Sequence, residues 1–272
     1  MTSVKINVRS GLGNQILPLI SSIYLCQKYN KNLVYYCDIL ESCDLRTQAT
    51  INDFFIFPNI CEKSKYSLTS NNCSTIIENK NIININALIN DNILIQNCFH
   101  LFVTENEINS YKPQPKKNII KTDYLINIQK ILHNIDLIDE LKQKIIETTK
   151  LFDKNTISIH YRGAEESCLN NTKYQLEEFI NSIELEKNIY LSSDCLDTEL
   201  YIKNKFGSRI LTIVNPFGGD NNKVSENKES IMNAICEVYI LSKTEEFYGT
   251  KGSSFTFLSW LLSKHNILEF WN

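Results

Sequence analysis

No apolar stretch of about 18 residues occurs in the 272-residue chain, so no membrane-spanning helix is expected. The opening Met1-Thr2-Ser3-Val4-Lys5-Ile6-Asn7-Val8 lacks the basic stretch and long apolar run of a secretory signal. It reads instead as a strand running into a Gly turn. No C-x-x-C pair occurs among the nine cysteines, and an odd number at irregular spacing suits neither zinc nor a disulfide framework. Cys26, Cys37, Cys98, Cys195 and Cys236 stand in apolar surroundings, where a reduced cysteine acts as a small hydrophobe. A reducing, cytoplasmic compartment is therefore expected. Neither sign of charge dominates: 28 Lys and Arg face 31 Asp and Glu, for a net charge of -3. The cations are scattered, so nucleic acid is not an expected partner. The chain also has no D-x-D, a pair of carboxylates able to hold a divalent ion.

What remains is an ordinary folded chain, 43% apolar and 22% charged, long enough for one large domain or two modest ones. Val4 to Val8 alternates as a strand, with a turn at Ser10 to Gly13. From Ile16 to Tyr29, apolar residues at helical spacing predict a helix, and Leu33 to Cys37 is a short buried strand. Strand, Gly turn, helix and strand make a βαβ unit and hence a parallel sheet. Residues 50 to 120 give little beyond a strand over Ile93 to Phe99. Pro113 and Pro115 then break the chain. Helices are expected over Asp136–Leu151, Lys173–Glu186, Leu200–Phe206, Glu229–Ser242 and Ser254–Ser263. Between them fall strands at Thr156–His160, Asn188–Leu191, Ile210–Val214 and Glu246–Tyr248. Strand–helix repetition of this kind predicts a doubly wound α/β sheet.

Four segments carry the chemistry. In Gly11-Leu12-Gly13-Asn14-Gln15 two glycines permit a tight turn and close backbone approach to a ligand before a helix N-terminus. A plain strand-to-helix turn fits equally, since Ile16 stands where a third dinucleotide-binding glycine would fall. Ile159-His160-Tyr161-Arg162-Gly163 puts His160 and Arg162 at a strand's carboxyl end, where open α/β sheets bind ligands. The planar fork of Arg suits a pyrophosphate; an ion pair with Glu165 or Glu166 is the commoner arrangement for an isolated H-x-R. Ser193-Asp194 ends the next strand, and its carboxylate can accept from a nucleoside or cap the following helix. Gly252-Ser253-Ser254-Phe255-Thr256 offers hydroxyls and N–H groups at a helix start, as an anion site or simply an N-cap.

In this order and context the four segments resemble the fucosyltransferase superfamily of α-1,2-, α-1,6- and protein O-fucosyltransferases. The likeness covers residues 1 to about 30 and most of the chain after Ile157. It implies a GT-B-like α/β fold, two Rossmann-like domains facing a central cleft, with an acceptor-side domain over 1–152 and a nucleotide-sugar domain over 153–272. It also implies a GDP-fucose donor, a glycan acceptor, inversion at the anomeric carbon and no metal or other cofactor. By that likeness Arg162 holds the β-phosphate, and His160 and Asp194, beside Ser193, lie at the guanosine. Ser253, Ser254 and Phe255 line the diphosphate, while Asn14, behind Gly11 and Gly13, reaches the donor from the other domain. The α-1,2 enzymes read H-x-R-R-G-D, whereas Gly163, Ala164 and Glu165 stand here, so linkage does not carry over. G-S-S-F-T is closer to the protein O-fucosyltransferases.

A base must take the acceptor proton. Glu165, aligned with the acidic position of H-x-R-R-G-D, is the candidate, with Glu166 beside it; a partly desolvated carboxylate has the raised pKa this needs. Either is equally read as a solvated loop carboxylate, and Asp38, beyond the second strand, is the alternative base. Other expectations stay open: another sugar donor, a protein hydroxyl as acceptor, or a GDP-sugar-binding module without turnover. An NAD(P)-dependent oxidoreductase lacks both the third glycine and a catalytic Tyr/Lys or His/Asp set.

Overall fold

The computed structural model describes residues 2–8, 11–37, 53–57, 61–64, 68–69, 71–78, 82–96, 101, 103–104, 119–163, 172–213 and 228–271. The chain forms two compact units, Met1–Pro115 with Lys121–Ile138, and Lys116–Ile120 with Asp139–Asn272.

In the first unit, β1 (Ser3–Val8) buries Val4 and Ile6. Helix α1 (Leu12–Tyr29) starts earlier than the apolar spacing from Ile16 suggests. Gly11 is its N-cap in extended backbone, so Gly13 lies within the first turn rather than in a loop. Pro18 sits inside the helix, where its ring removes one backbone donor. The helix ends at Asn30, whose left-handed φ of 52° Asn tolerates better than most residues. β2 (Asn32–Cys37) then pairs with β1 in parallel, Val4 opposite Leu33, as a βαβ unit requires.

Next come β3 (Phe55–Ile56), β4 (Cys61–Lys63), β5 (Thr75–Glu78), β6 (Ile82–Ile83), α2 (Ile85–Asn90), β7 (Ile93–Gln96) and β8 (Val103–Thr104). The main sheet is wholly parallel, in the order β4-β2-β1-β7-β5. Strand β9 (Ile119–Ile120) belongs to the second unit. The chain then returns with α3 (Asp123–His133), capped by Thr122 and held on α1 by the Ser21–Tyr124 hydroxyl pair at 2.9 Å. β10 (Asp136–Leu137) pairs antiparallel with β3, taking the residues where the sequence predicts the start of a helix.

In the second unit that helix, α4 (Asp139–Thr149), precedes β11 (Thr156–Tyr161), α5 (Lys173–Ser182), β12 (Asn188–Ser193), α6 (Leu196–Phe206) and β13 (Ile210–Leu211). Then come α7 (Lys228–Leu241), β14 (Phe247–Gly249), α8 (Ser254–Leu262) and β15 (Ile267–Phe270). α5 opens on a Thr172–Gln175 capping box and ends four residues short of Glu186. Arg209 explains the stop: its guanidinium donates to the carbonyls of Ile183 (3.0 Å) and Glu184 (2.7 Å) that a longer helix would turn inward.

The sheet order is β13-β12-β11-β14-β15-β9, parallel throughout except for β9. Numbered from β11, the parallel strands run 3-2-1-4-5, the doubly wound order, and the winding reverses between β11 and β14. All six positions of β11 are buried, as expected of a strand covered on both faces. Ile157, Ile159, Ile189 and Leu191 pack against Leu176, Ile180 and Ile202 from α5 and α6, each fully buried aliphatic contributing about 1.5–3 kcal/mol.

Candidate functional site

At the reversal, the carboxyl ends of β11 and β14 lie side by side. Their ladder pairs Ser158 with Phe247 and Ile159 with Tyr248. After Gly249 the chain leaves the sheet for α8, and the Thr250 side chain continues the ladder. Its hydroxyl donates to the His160 carbonyl (2.7 Å) and accepts from the Arg162 N–H (3.0 Å). In a parallel pair one neighbouring residue would serve both groups with its own N–H and C=O. A hydroxyl, both donor and acceptor, does the same work from a side chain. The Trp271 indole N–H also points here, 2.9 Å from the His160 oxygen and 3.1 Å from Thr250 Oγ1.

His160 is buried, with Nδ1 2.7 Å from Thr256 Oγ1 and its ring stacked on Phe255 at 4.8 Å between centroids. Burial, then the neighbouring Arg162 charge, lowers its pKa to about 3. The ring is therefore neutral, carrying one N–H and one lone pair. Thr256 Oγ1 also accepts from the Thr250 N–H (3.0 Å), tying the first turn of α8 to β11. Only glycine fits at 249: a Cβ there would lie 2.0 Å from Thr256 Cγ2.

Arg162 is half-buried just beyond β11. Next to it, the Gly163 N–H donates to Asp194 Oδ1 at 2.7 Å. Asp194 therefore does not cap α6, whose N-cap is Cys195. A Cβ at Gly163 would meet Tyr161 Cε1 at 2.2 Å, so this turn too needs glycine. Ser193 is buried, and its hydroxyl is engaged by the Cys195 N–H (3.0 Å) and carbonyl (3.2 Å). Ser253 is the N-cap of α8, its Oγ accepting from Thr256 N. Ser254 and Phe255, half-buried, form the helix's first turn. His160, Arg162, Ser193, Asp194, Ser253, Ser254 and Phe255 thus all stand at the carboxyl ends of adjacent strands in one sheet.

Gly11, Gly13 and Asn14 form the start of α1 in the first unit. Glu165, Glu166 and Asp38 lie outside the described residues. Among the described residues, no group of three or more His, Cys, Asp and Glu could hold a metal ion.

The sequence reading misses Glu237, on α7 and 4% exposed. It shares a hydrogen bond with Ser192, while its Oε1 has no partner among the described residues. Burial, then the charge of Glu199, raises its pKa well above the carboxylate range. Glu199 bonds Thr212, and its Oε2 has no partner among the described residues; burial raises its pKa too. The available signal was the single acid in the mostly apolar run from Ile231 to Leu241. Thr250 and Thr256 fall inside the Gly-rich segment already singled out, whereas nothing local marks Trp271.

No protein-family description matches the sequence, and no curated protein does. The fold does match solved structures. NodZ α-1,6-fucosyltransferase co-crystallized with GDP aligns with a TM-score of 0.61 at 14% identity, over 97% of this chain and 93% of that one. A variant of Arabidopsis thaliana FUT1 in complex with GDP aligns at 0.58 and 14%, over 96% of this chain and 68% of that one. POFUT1 in complex with GDP aligns at 0.52 and 10%, over 99% and 96%. The mixed α/β fold with parallel sheets is therefore one that fucosyltransferases use.

Proposed function

We propose that this protein is a glycosyltransferase that transfers fucose from GDP-fucose to a glycan, with inversion and without a metal ion. One observation carries the reading. At the point where the second unit's sheet reverses its winding, a strand-end Arg162, a neutral His160, Asp194 and the start of α8 come together. The fold likeness to fucosyltransferases solved with GDP supports it. Ligands of doubly wound sheets sit at this reversal.

Each part has a task. The departing GDP carries the developing negative charge, which Arg162 and the N–H groups opening α8 are suited to stabilise. Charge held this way makes an ion on the diphosphate unnecessary. His160 and Asp194 offer polar groups to a purine edge and ribose. Glu165, four residues after the strand, is proposed as the base that takes the acceptor proton, so that the acceptor oxygen attacks the anomeric carbon opposite GDP. The first unit is proposed as the acceptor side, with Asn14, behind Gly11 and Gly13, reaching the donor from it. The compartment proposed is the cytoplasm.

The test is a thermal-shift series with GDP, UDP, CMP and NAD, followed by turnover of GDP-fucose in excess chelator. GDP should stabilise the protein most, and chelator should leave turnover intact. Equal shifts from GDP and UDP would remove the base assignment, and activity restored only by manganese would remove the metal-free mechanism.

A further inference from the structure

The structure assigns a positioning role to the Thr250 hydroxyl and the Trp271 indole: together they fix the backbone from which Arg162 reaches the donor diphosphate. This inference rests on the donor-site reading above. A hydroxyl has one proton and two lone pairs, and here all three are committed. The proton goes to the His160 carbonyl at 2.7 Å, and the lone pairs receive the Arg162 N–H at 3.0 Å and the Trp271 indole N–H at 3.1 Å. The same indole N–H lies 2.9 Å from the His160 oxygen, so it ties both ends of this contact.

The arrangement is needed because the β14 ladder stops short. Gly249, tight against Thr256, takes the backbone out of the sheet just before the residue that should pair with 160–162. Without a substitute, the His160 carbonyl and Arg162 N–H would be buried strand-end groups with no partner on that side. On the other side, β12 holds His160 and Tyr161 opposite Ser192 and Ser193, and Asp194 holds Gly163. Arg162 is thus fixed at its Cα from two neighbours. A side chain leaves the Cα in a direction set by the backbone, and a misplacement of about 1 Å at a reacting group is costly.

Trp271 comes from beyond β15, 111 residues away in sequence from His160. Its ring packs on Tyr161 (5.5 Å) and Phe179 (6.4 Å), and its backbone N–H donates to the Gly249 carbonyl at 3.3 Å. Phe at this position keeps the packing and removes only the indole donor. Val at 250 keeps the shape of Thr and removes only the hydroxyl; Ser restores it.

The experiment is calorimetric titration of the full chain with GDP. It compares wild type, Thr250→Val, Thr250→Ser and Trp271→Phe, each also combined with Arg162→Ala, with a melting temperature for every protein. Thr250→Val should weaken GDP binding about tenfold and Trp271→Phe about threefold, with Thr250→Ser within about twofold of wild type. With Arg162→Ala present, the losses from Val and Phe should shrink below about twofold, because both act through that arginine. Full losses that persist without Arg162 would make the contacts merely structural and overturn the proposal, as would wild-type affinity in Thr250→Val. Should Thr250→Val fail to fold, Trp271→Phe decides by the same comparison. A wild-type protein that does not bind GDP sinks the donor reading and this inference with it. GDP binding that is insensitive to Thr250 and Trp271 sinks only the inference.

Discussion

Asp194 accepts a hydrogen bond from the Gly163 N–H at 2.7 Å, so the carboxylate closing one strand holds the turn that follows the arginine of the next. The two residues are 31 apart in sequence. A hydrogen bond to a charged group is worth about 1.5–3 kcal/mol. Asp194→Ala should lower the melting temperature and weaken GDP binding together, whereas Asp194→Asn, which keeps an acceptor, should recover most of both. Calorimetry alongside thermal melts checks this. Loss of GDP binding in Asp194→Ala at unchanged stability would mean that the carboxylate acts on the ligand alone and does not brace the turn.

Arg162→Ala should behave differently. The residue lies beyond the end of β11 and its side chain is half-buried, so the core does not depend on it. Losing one charge-assisted contact to a phosphate costs about 1.5–3 kcal/mol, or more than about tenfold in affinity. GDP binding should fall by that amount while the melting temperature stays near wild type. A folded variant with undiminished GDP affinity would remove the arginine from the donor site.

Two buried titrating groups should shape stability against pH from opposite sides. His160 titrates near 3 when folded, against an ordinary 6.5. Between those values the unfolded chain binds the extra proton, so its contribution is full above about 6.5 and is lost as pH falls toward 3. Glu237 is raised well above its ordinary 4.5, chiefly by burial. The folded protein keeps that proton longer, so its contribution is full below about 4.5 and is lost as pH rises through the folded value. His160→Asn should flatten the acid limb of a melting-temperature profile. Glu237→Gln should flatten the other limb and raise the melting temperature at about pH 8. A lower melting temperature for Glu237→Gln at that pH would show that the carboxylate is well partnered.

How far the sequence could be read depends on the range of the forces involved. The strands at Thr156–Tyr161 and Asn188–Ser193 were legible because the first alternates apolar and polar residues and the second carries an apolar run from Ile189 to Leu191. The motif residues at their ends were legible with them. In the 50–120 region the strands at Phe55–Ile56, Cys61–Lys63 and Ile82–Ile83 are two or three residues long, too short to display any period. The early start of α1 was hidden because two glycines and Pro18 argue against helix locally, and burial of Leu17, Leu19 and Ile20 overrides them. The Thr250 contact was invisible for a different reason. It exists only because β14 leaves the sheet at Gly249, and Trp271 reaches it through the packing of β15, which no window on the sequence contains.

The base is proposed from the sequence, since Glu165 lies outside the described residues. Replacing Glu165 with Gln should leave calorimetric GDP binding intact and lower turnover of GDP-fucose by about 10²–10⁴. Equal turnover would move the base to Glu166 or Asp38, whose Gln and Asn variants then form the next comparison.

Gly249 offers a test of the backbone itself. An added Cβ would stand 2.0 Å from Thr256 Cγ2 and 3.1 Å from its Cβ and Oγ1, so Gly249→Ala collides first with a methyl group. Overpacking of this kind costs about 1–3 kcal/mol. The displaced threonine would also release His160 Nδ1 and the Thr250 N–H, which both bond its hydroxyl. Gly249→Ala should therefore lower stability and GDP affinity together. Combining it with Thr256→Ser removes the colliding methyl but keeps the hydroxyl, and should recover part of each loss. Because the two residues touch, the pair should be non-additive in a double-mutant cycle read by thermal melts and GDP titration. Strict additivity would mean that the strand end relaxes by another route, and that the glycine is not required by the approach of α8.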